Sequence, residues 1–442
     1  MKKVIFSAAA IMCGAVMFAQ SNTSSVTSTG NGNGSIVLQT GTLNDSDVDQ
    51  IGDMNDSDVS QIGASNRNDV DQDGNRNESD VVTLGDNNRT RVTQGYSFAT
   101  VNDDNVASIT QTGNGNTATI SQANDFSSAG SNDNISSQTQ TGDNNRAYND
   151  QDGDLNQNTQ SQTGDNNRVD THQHGDSNRN FDTQLGDFND SDTNQFGDLN
   201  LSSVTQTGMS NDADTDQFGD DNDAFTNQGG NSNDALTIQD GDFNYSDSRS
   251  FGDNNNATAR QNGNSNVSLI HQGGNVLEGP NNGNSTVTRQ TGNSNVAHSD
   301  QYDWTVTNPA TGAGTYGGGS SNDNVATIDQ VGDFNDSYVV QNGDDNTADE
   351  DQNGNSNVSD TYQTGNDNVA STDQDGDSNT SDVKQNGNGN GSATTQNGMM
   401  NMSTVLQNGN LNMSTVSQTG QTHMSTVTQT GDMNTSTVTQ SN

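Results

Sequence analysis

QIGDMNDSDVS, residues 50–60, is the unit from which almost the whole chain is built: Gln61 opens a second copy and Gln72 a third. The frame reads Q-x-G-x-x-N-x-S/A-x-V/T-x and then begins again. Its first position falls at 39, 50, 61, 72, 83 and 94, then at 111 and 122, then at every eleventh residue from 140 to 272. It resumes at 290 and 301 and runs unbroken from 330 to 440, giving 34 anchors of which only Thr83 and Ser250 are not Gln. A short period held over such a length is the signature of stacked repeats rather than of an ordinary globular core.

Within the unit, Asn55, Ser57, Val59 and Gln61 fall on every second position, the period of a strand whose side chains alternate faces. These four should point inward, and the variable Asp56, Asp58 and Ser60 outward. Ile62-Gly63-Ala64-Ser65 then supplies the glycine of a tight turn. The chain reverses every eleven residues, so two units make a rung and residues 22 apart stack. A helix is excluded by the density of Gly, Asn, Asp and Thr. The fold predicted is all-β: a β-solenoid of stacked 22-residue rungs over 39–442, cross-β and amyloid-like.

Inward amides are costly unless paired. Stacked one strand separation apart, about 4.8 Å, identical amides can bond to one another as ladders. The ladder residues are then Gln50, Gln61, Gln72, Gln151, Gln162, Gln173, Gln184, Gln195, Gln206, Gln407, Gln418 and Gln429, with Asn55, Asn156, Asn167 and Asn178. Gly52, Gly63, Gly153, Gly164, Gly175 and Gly409 are the corresponding turn glycines.

Outward from this core, residues 1–19 have the form of a secretory signal: Lys2 and Lys3, an apolar stretch from Val4 to Phe18, and a small residue before Gln20. That stretch is too short to favour a membrane span, and no other segment could cross a bilayer as a helix. Cys13, the only cysteine, lies inside it, so the mature chain would have no disulfide and no thiolate chemistry. Loss of Lys2 and Lys3 takes the formal charge from −45 to −47. Such acidity argues against binding nucleic acid or an anionic membrane. Composition alone, 25% hydrophobic, would suggest disorder, which the periodicity opposes.

Residues 20–38 read as a flexible polar leader without the frame. Insertions interrupt the repeats near 95–106, 123–135, 275–285 and 303–325, and are expected as loops leaving one corner of the stack. Both prolines, Pro280 and Pro309, and the one tryptophan, Trp304, fall inside them. Proline cannot donate to a central ladder, so its confinement there supports the frame. Trp304 is expected to pack on its own corner.

The copies differ in quality. The tenth position decays to Thr193, Thr215 and Thr226, and to Asn149, Gln160, Asp182 and Glu350. An inward carboxylate should weaken its rung unless it is protonated, paired or turned outward. By contrast, residues 386–442 carry one formally charged residue, Asp432, and place Val405, Val416, Val427 and Val438 at the tenth position. This block is the candidate self-assembly segment.

The frame Q-x-G-x-x-N-x-A/S, with Gln again eleven residues later, resembles the curlin repeat of bacterial curli subunits, and the resemblance covers roughly 39–442. It implies a secreted functional amyloid that polymerises outside the cell into fibres of the biofilm matrix and of cell adhesion. It also implies partners: further copies of itself, a nucleator homologue and an outer-membrane export pore, with residues 20–38 in the place of the export-directing leader. Compared with familiar curlins, this chain has many more repeats, and Gly recurs in nearly every half-repeat.

Other signals are weaker. Asp follows the turn glycine at 53, 86, 143, 154, 165, 176, 187, 198, 220, 242 and 253. These are expected to form a solvated face that keeps the chain soluble. Calcium, which takes oxygen ligands, is the alternative, although the calcium-binding nine-residue repeat with paired Gly is not matched. The five histidines occupy different frame positions. His172 and His174 are two apart with no third ligand evident, so no metal site and no cofactor are expected. No nucleophile–base arrangement stands out, and an enzyme is not expected. The function expected is a fibre subunit growing by end-to-end strand stacking, in keeping with the absence of a capping helix or charged terminal repeat after Gln440. The alternative is a monomeric solenoid that binds a surface, carbohydrate or ice through threonines such as Thr404 and Thr426.

Overall fold

The computed structural model describes residues 21–95, 102–122, 131–273, 282–301 and 321–442. The signal expected over 1–19, and Pro280, Pro309 and Trp304, lie outside these residues. The described residues form strands and turns and contain no helix.

The first four strands, β1 (Thr23–Thr29), β2 (Gly34–Thr42), β3 (Asp45–Ile51) and β4 (Asp56–Ala64), set the pattern for the rest. β1 pairs in parallel with β3 and β2 with β4, so that Val26 stands over Val48 and Val37 over Val59. Alternate strands continue in this way into two sheets of 18 and 17 strands. Every pairing is parallel and in register: Gln151 lies opposite Gln173, and Gln162 opposite Gln184. The result is a parallel β-solenoid of about 17 rungs and about 80 Å.

Side chains alternate as a two-period strand requires. Along Asp56–Ala64, Ser57, Val59 and Gln61 are buried while Asp56 and Asp58 are exposed. The core is the narrow seam between the sheets. Its apolar part lies chiefly at the tenth position, from Val48 to Ile120 in one run and, with Thr394 intervening, from Val383 to Val427 in another. From Gln138 to Thr193 the same column is polar: Gln138, Asn149, Gln160, Thr171, Asp182 and Thr193 are all buried.

Two expectations are corrected. Residues 21–38 are the first rungs of the solenoid rather than a flexible leader, for β1 and β2 sit in register on β3 and β4. The frame is present there: Asn22, Ser24 and Val26, then Asn33, Ser35 and Val37, hold the expected positions. It was concealed because Ser28 stands where Gln belongs. Ser28 Oγ nevertheless donates to Gln50 Oε1 at 2.9 Å.

The insertions also leave both corners rather than one. Those following Gln94 and Gln122 lie between a strand of the β1 sheet and one of the β2 sheet, and those following Gln272 and Gln301 lie on the return. Across each, the ladder resumes in register, with Gln94 over Gln122 and Gln111 over Gln140.

Candidate assembly interface

The repeating contact is the one between rungs, and the glutamines carry it along the axis. Gln151 Nε2 donates to Gln173 Oε1 at 2.9 Å, and Gln173 to Gln195 at 2.8 Å. On the other sheet, Gln162 donates to Gln184 at 3.0 Å and Gln184 to Gln206 at 2.8 Å. The second amide hydrogen crosses the seam: Gln173 reaches Gln157 O at 3.1 Å, and Gln184 reaches Arg168 O at 2.7 Å. Each amide therefore ties its rung both to the next rung and to the facing sheet. Both hydrogens are used, which removes the penalty of burying the group. The same geometry joins Gln50 to Gln72 (2.9 Å), Gln407 to Gln429 (2.8 Å) and Gln418 to Gln440 (2.8 Å). Gln61 accepts from Gln39 at 2.9 Å but meets Thr83 on its other side, where this ladder is interrupted.

The asparagines hold the turns. Asn167 Oδ1 accepts the amide of Asn189 at 3.0 Å, and its Nδ2 donates to Gly186 O at 2.7 Å. Asn55, Asn156 and Asn178 do the same toward Gly74, Gly175 and Gly197. The glycine is required twice over. Gly164 has φ +117°, and a Cβ on it would lie 2.1 Å from Gly186 O in the next rung. Gly52, Gly63, Gly153, Gly175 and Gly409 are placed alike, with φ between +107° and +130°.

A second left-handed residue, two positions after the glycine, went unseen in the sequence. Leu155, Phe188 and Asp221 have φ of 61°, 58° and 56°. No residue type marks the position, so nothing in the pattern signals it.

The aspartates after the turn glycine form more than a solvated face. Asp143 N donates to Asp165 Oδ1, and Asp165 N to Asp187 Oδ1, each at 2.8 Å. On the opposite corner Asp154, Asp176, Asp198 and Asp220 continue the same chain. One carboxylate oxygen of each binds the backbone amide of the preceding rung.

His172 and His174 do not converge. His172 Nδ1 lies 3.9 Å from Asp150, while His174 Nδ1 lies 3.1 Å from Asp152 and its ring stacks on Phe196 at 4.8 Å. His271 and His298 do come together, around Asp300. Their spacing of 27 residues follows from an intervening insertion, and the 22-residue period gives no hint of it.

In the C-terminal block, Val405, Val416 and Val427 are buried in one cluster with Ala370 and Val383, and the half-buried Val438 packs on it. Asp432 accepts from the backbone amide of Asn410 at 2.8 Å.

Uniform rungs joined by amide ladders define a structural repeat protein, in which the rung-to-rung contact is the principal surface. The family model of the curlin associated repeat matches residues 63–95 and 322–354, so the chain carries curlin associated repeats. No curated protein matches the chain. Among the described residues no helix is long and apolar enough to cross a membrane.

Proposed function

We propose that the chain is the structural subunit of an extracellular, curli-like amyloid fibre that serves in a biofilm matrix and in adhesion. The observation that carries this reading is the sameness of the rungs. The bonds between Gln151 and Gln173 recur between Gln418 and Gln440, so the contact that builds the chain is one that a second copy could extend. A contact that repeats by translation does not close, and open assembly gives a fibre. The two matches to the curlin associated repeat support the same reading. It extends to export through an outer-membrane pore after removal of residues 1–19, and to nucleation by a homologue. A structural role requires neither catalysis nor a cofactor.

The test is assembly of the purified chain lacking residues 1–19. Electron microscopy should show unbranched fibres, and fibre diffraction a reflection near 4.8 Å along the axis. Growth should be accelerated by preformed fibres. A chain that folds yet sediments as a monomer at high concentration, seeded or not, would overturn the proposal and leave surface binding as the reading to pursue.

A further inference from the structure

On the outer face of the β2 sheet, two adjacent strands, Val267–Gln272 and Val296–Gln301, place His271 directly opposite Asp300 and His298 opposite Leu269. His271 Nδ1 lies 3.0 Å and His298 Nε2 2.9 Å from the same oxygen, Asp300 Oδ1. One donor atom from each of the three residues lies within 4.8 Å of the other two. We propose that His271, His298 and Asp300 form a binding site for a divalent transition-metal ion of the zinc class.

The surroundings fit such a site. Asp300 is buried, at 2% exposure, on the outer face, and Asp247 beside it is buried as well. Its second oxygen accepts from Tyr338 Oη at 2.9 Å, which fixes the carboxylate and leaves Oδ1 to the imidazoles. The far side of His271 is turned to Asp247, whose Oδ2 lies 4.0 Å from Nε2, and Arg249 holds Asp247 with a 2.6 Å bond to that same oxygen. A carboxylate behind a ligating histidine orients the ring and raises its basicity, the usual outer support of a metal-bound imidazole. The His298 ring rests against Tyr338 at 4.6 Å. Two imidazoles and one carboxylate suit zinc and its neighbours rather than calcium, which takes oxygen. With His271 and His298 partly exposed, water can complete the coordination. Such an ion would staple two rungs at a point where the chain is broken by insertions.

The experiment is titration of the chelator-treated full chain with Zn²⁺ by calorimetry, with Co²⁺ absorption as the coordination readout. The expected result is one tight site per chain, weakened at least ~10-fold in His298→Gln and in Asp300→Asn and unchanged in His172→Gln. Thermal melting without metal shows whether each variant is folded, and Tyr338→Phe offers a milder perturbation, expected to weaken binding by less. Absence of a stoichiometric Zn²⁺ site in the wild-type chain overturns the proposal. So does equal affinity in the folded His298→Gln and Asp300→Asn variants.

Discussion

Thr171 Oγ1 donates a 3.2 Å hydrogen bond to Asp182 Oδ2 across the seam between the sheets, with both side chains buried. Asn180 adds a donor at 2.5 Å and Ser191 one at 3.3 Å. Burial still prevails over these bonds and pushes Asp182 up to about 6. Glu350 has less help. The hydroxyls of Ser359 and Thr361 donate to it, but burial, with Asp360, Asp349 and Asp351 nearby, raises it to about 8. The inward acids are thus paired with neutral donors and inclined to carry a proton.

Stability should therefore rise on acidification. Both pKa values are raised on folding, so the folded chain takes up protons. Their stabilising contribution is complete below the ordinary carboxylate range and is lost as pH climbs through about 6 and about 8. For Asp300 burial opposes ionisation, yet hydrogen bonds from His271 and His298 outweigh it and hold the acid below its usual range. That opposing contribution is lost only in stronger acid. Glu350→Gln should stabilise by on the order of 3–5 kcal/mol at pH 8 and by almost nothing at pH 4. Guanidinium midpoints for wild type and variant at both pH values check this. A variant that tracks the wild type at pH 8 would mean that the carboxylate carries no burial cost.

Assembly should follow the same sign for a separate reason. Asp190, Asp212 and Asp234 stack in register on the outer face, beside Asp192 and Asp214. Burial, then Asp216, Asp192, Asp212 and Asp234, raises Asp214 to about 6. Burial and Asp382 do the same for Asp360. Protonation between pH 7 and pH 5 removes like-charge repulsion, and added salt screens it. The thioflavin lag should shorten in both cases. A lag indifferent to pH and salt would show that these columns do not restrain growth.

Two glycines seven residues apart offer a sharper test of the turn. Gly398 has φ +133°, and a Cβ there would meet Gly420 O at 1.8 Å. Gly391 lacks the positive φ, and its Cβ would find only Met413 Cγ, at 4.0 Å. Gly398→Ala combines left-handed strain of about 1–3 kcal/mol with a collision against backbone, which cannot move aside without parting two rungs. Gly391→Ala should be neutral or slightly stabilising. Thermal melting of the two variants should separate them clearly, and equal losses would refute the stacking argument.

The features legible in the sequence were those that repeat. Gln, Asn, Ser and Val at alternate positions gave the strand, its inward face and the 22-residue stacking, because these side chains bond or pack with their own copies. Features that depend on backbone or on broken period were hidden. The left-handed residue at Leu155 or Phe188 tolerates almost any side chain, so it leaves no signature. The aspartates looked like surface charge because their partner is a backbone amide. Ser28 concealed the first rungs. His271 and Asp300 stand 29 residues apart, a spacing set by an insertion rather than by the frame.

The last prediction places nucleation in the C-terminal block. Val383, Val405 and Val427 stack on one sheet and Val416 and Val438 on the other, closing an apolar seam where the middle of the chain has a polar one. Each Val buried in place of a polar group adds about 1–2 kcal/mol of transfer energy. From 386 to 442 the only formal charge is Asp432, and it is bonded to the amide of Asn410. Strands that bury more and repel less should pair first. The triple change Val405→Asp, Val416→Asp and Val427→Asp puts three acids into this seam, where serines stand at the places of Asn180 and Ser191 around Asp182. It should lengthen the lag several-fold at pH 7, and less at pH 4. The matched change Thr171→Asp, Thr193→Asp and Thr215→Asp puts as much charge into the middle of the chain and should affect the lag less. Equal lags for the two triple variants, or an unchanged lag in the first, would place the nucleus elsewhere.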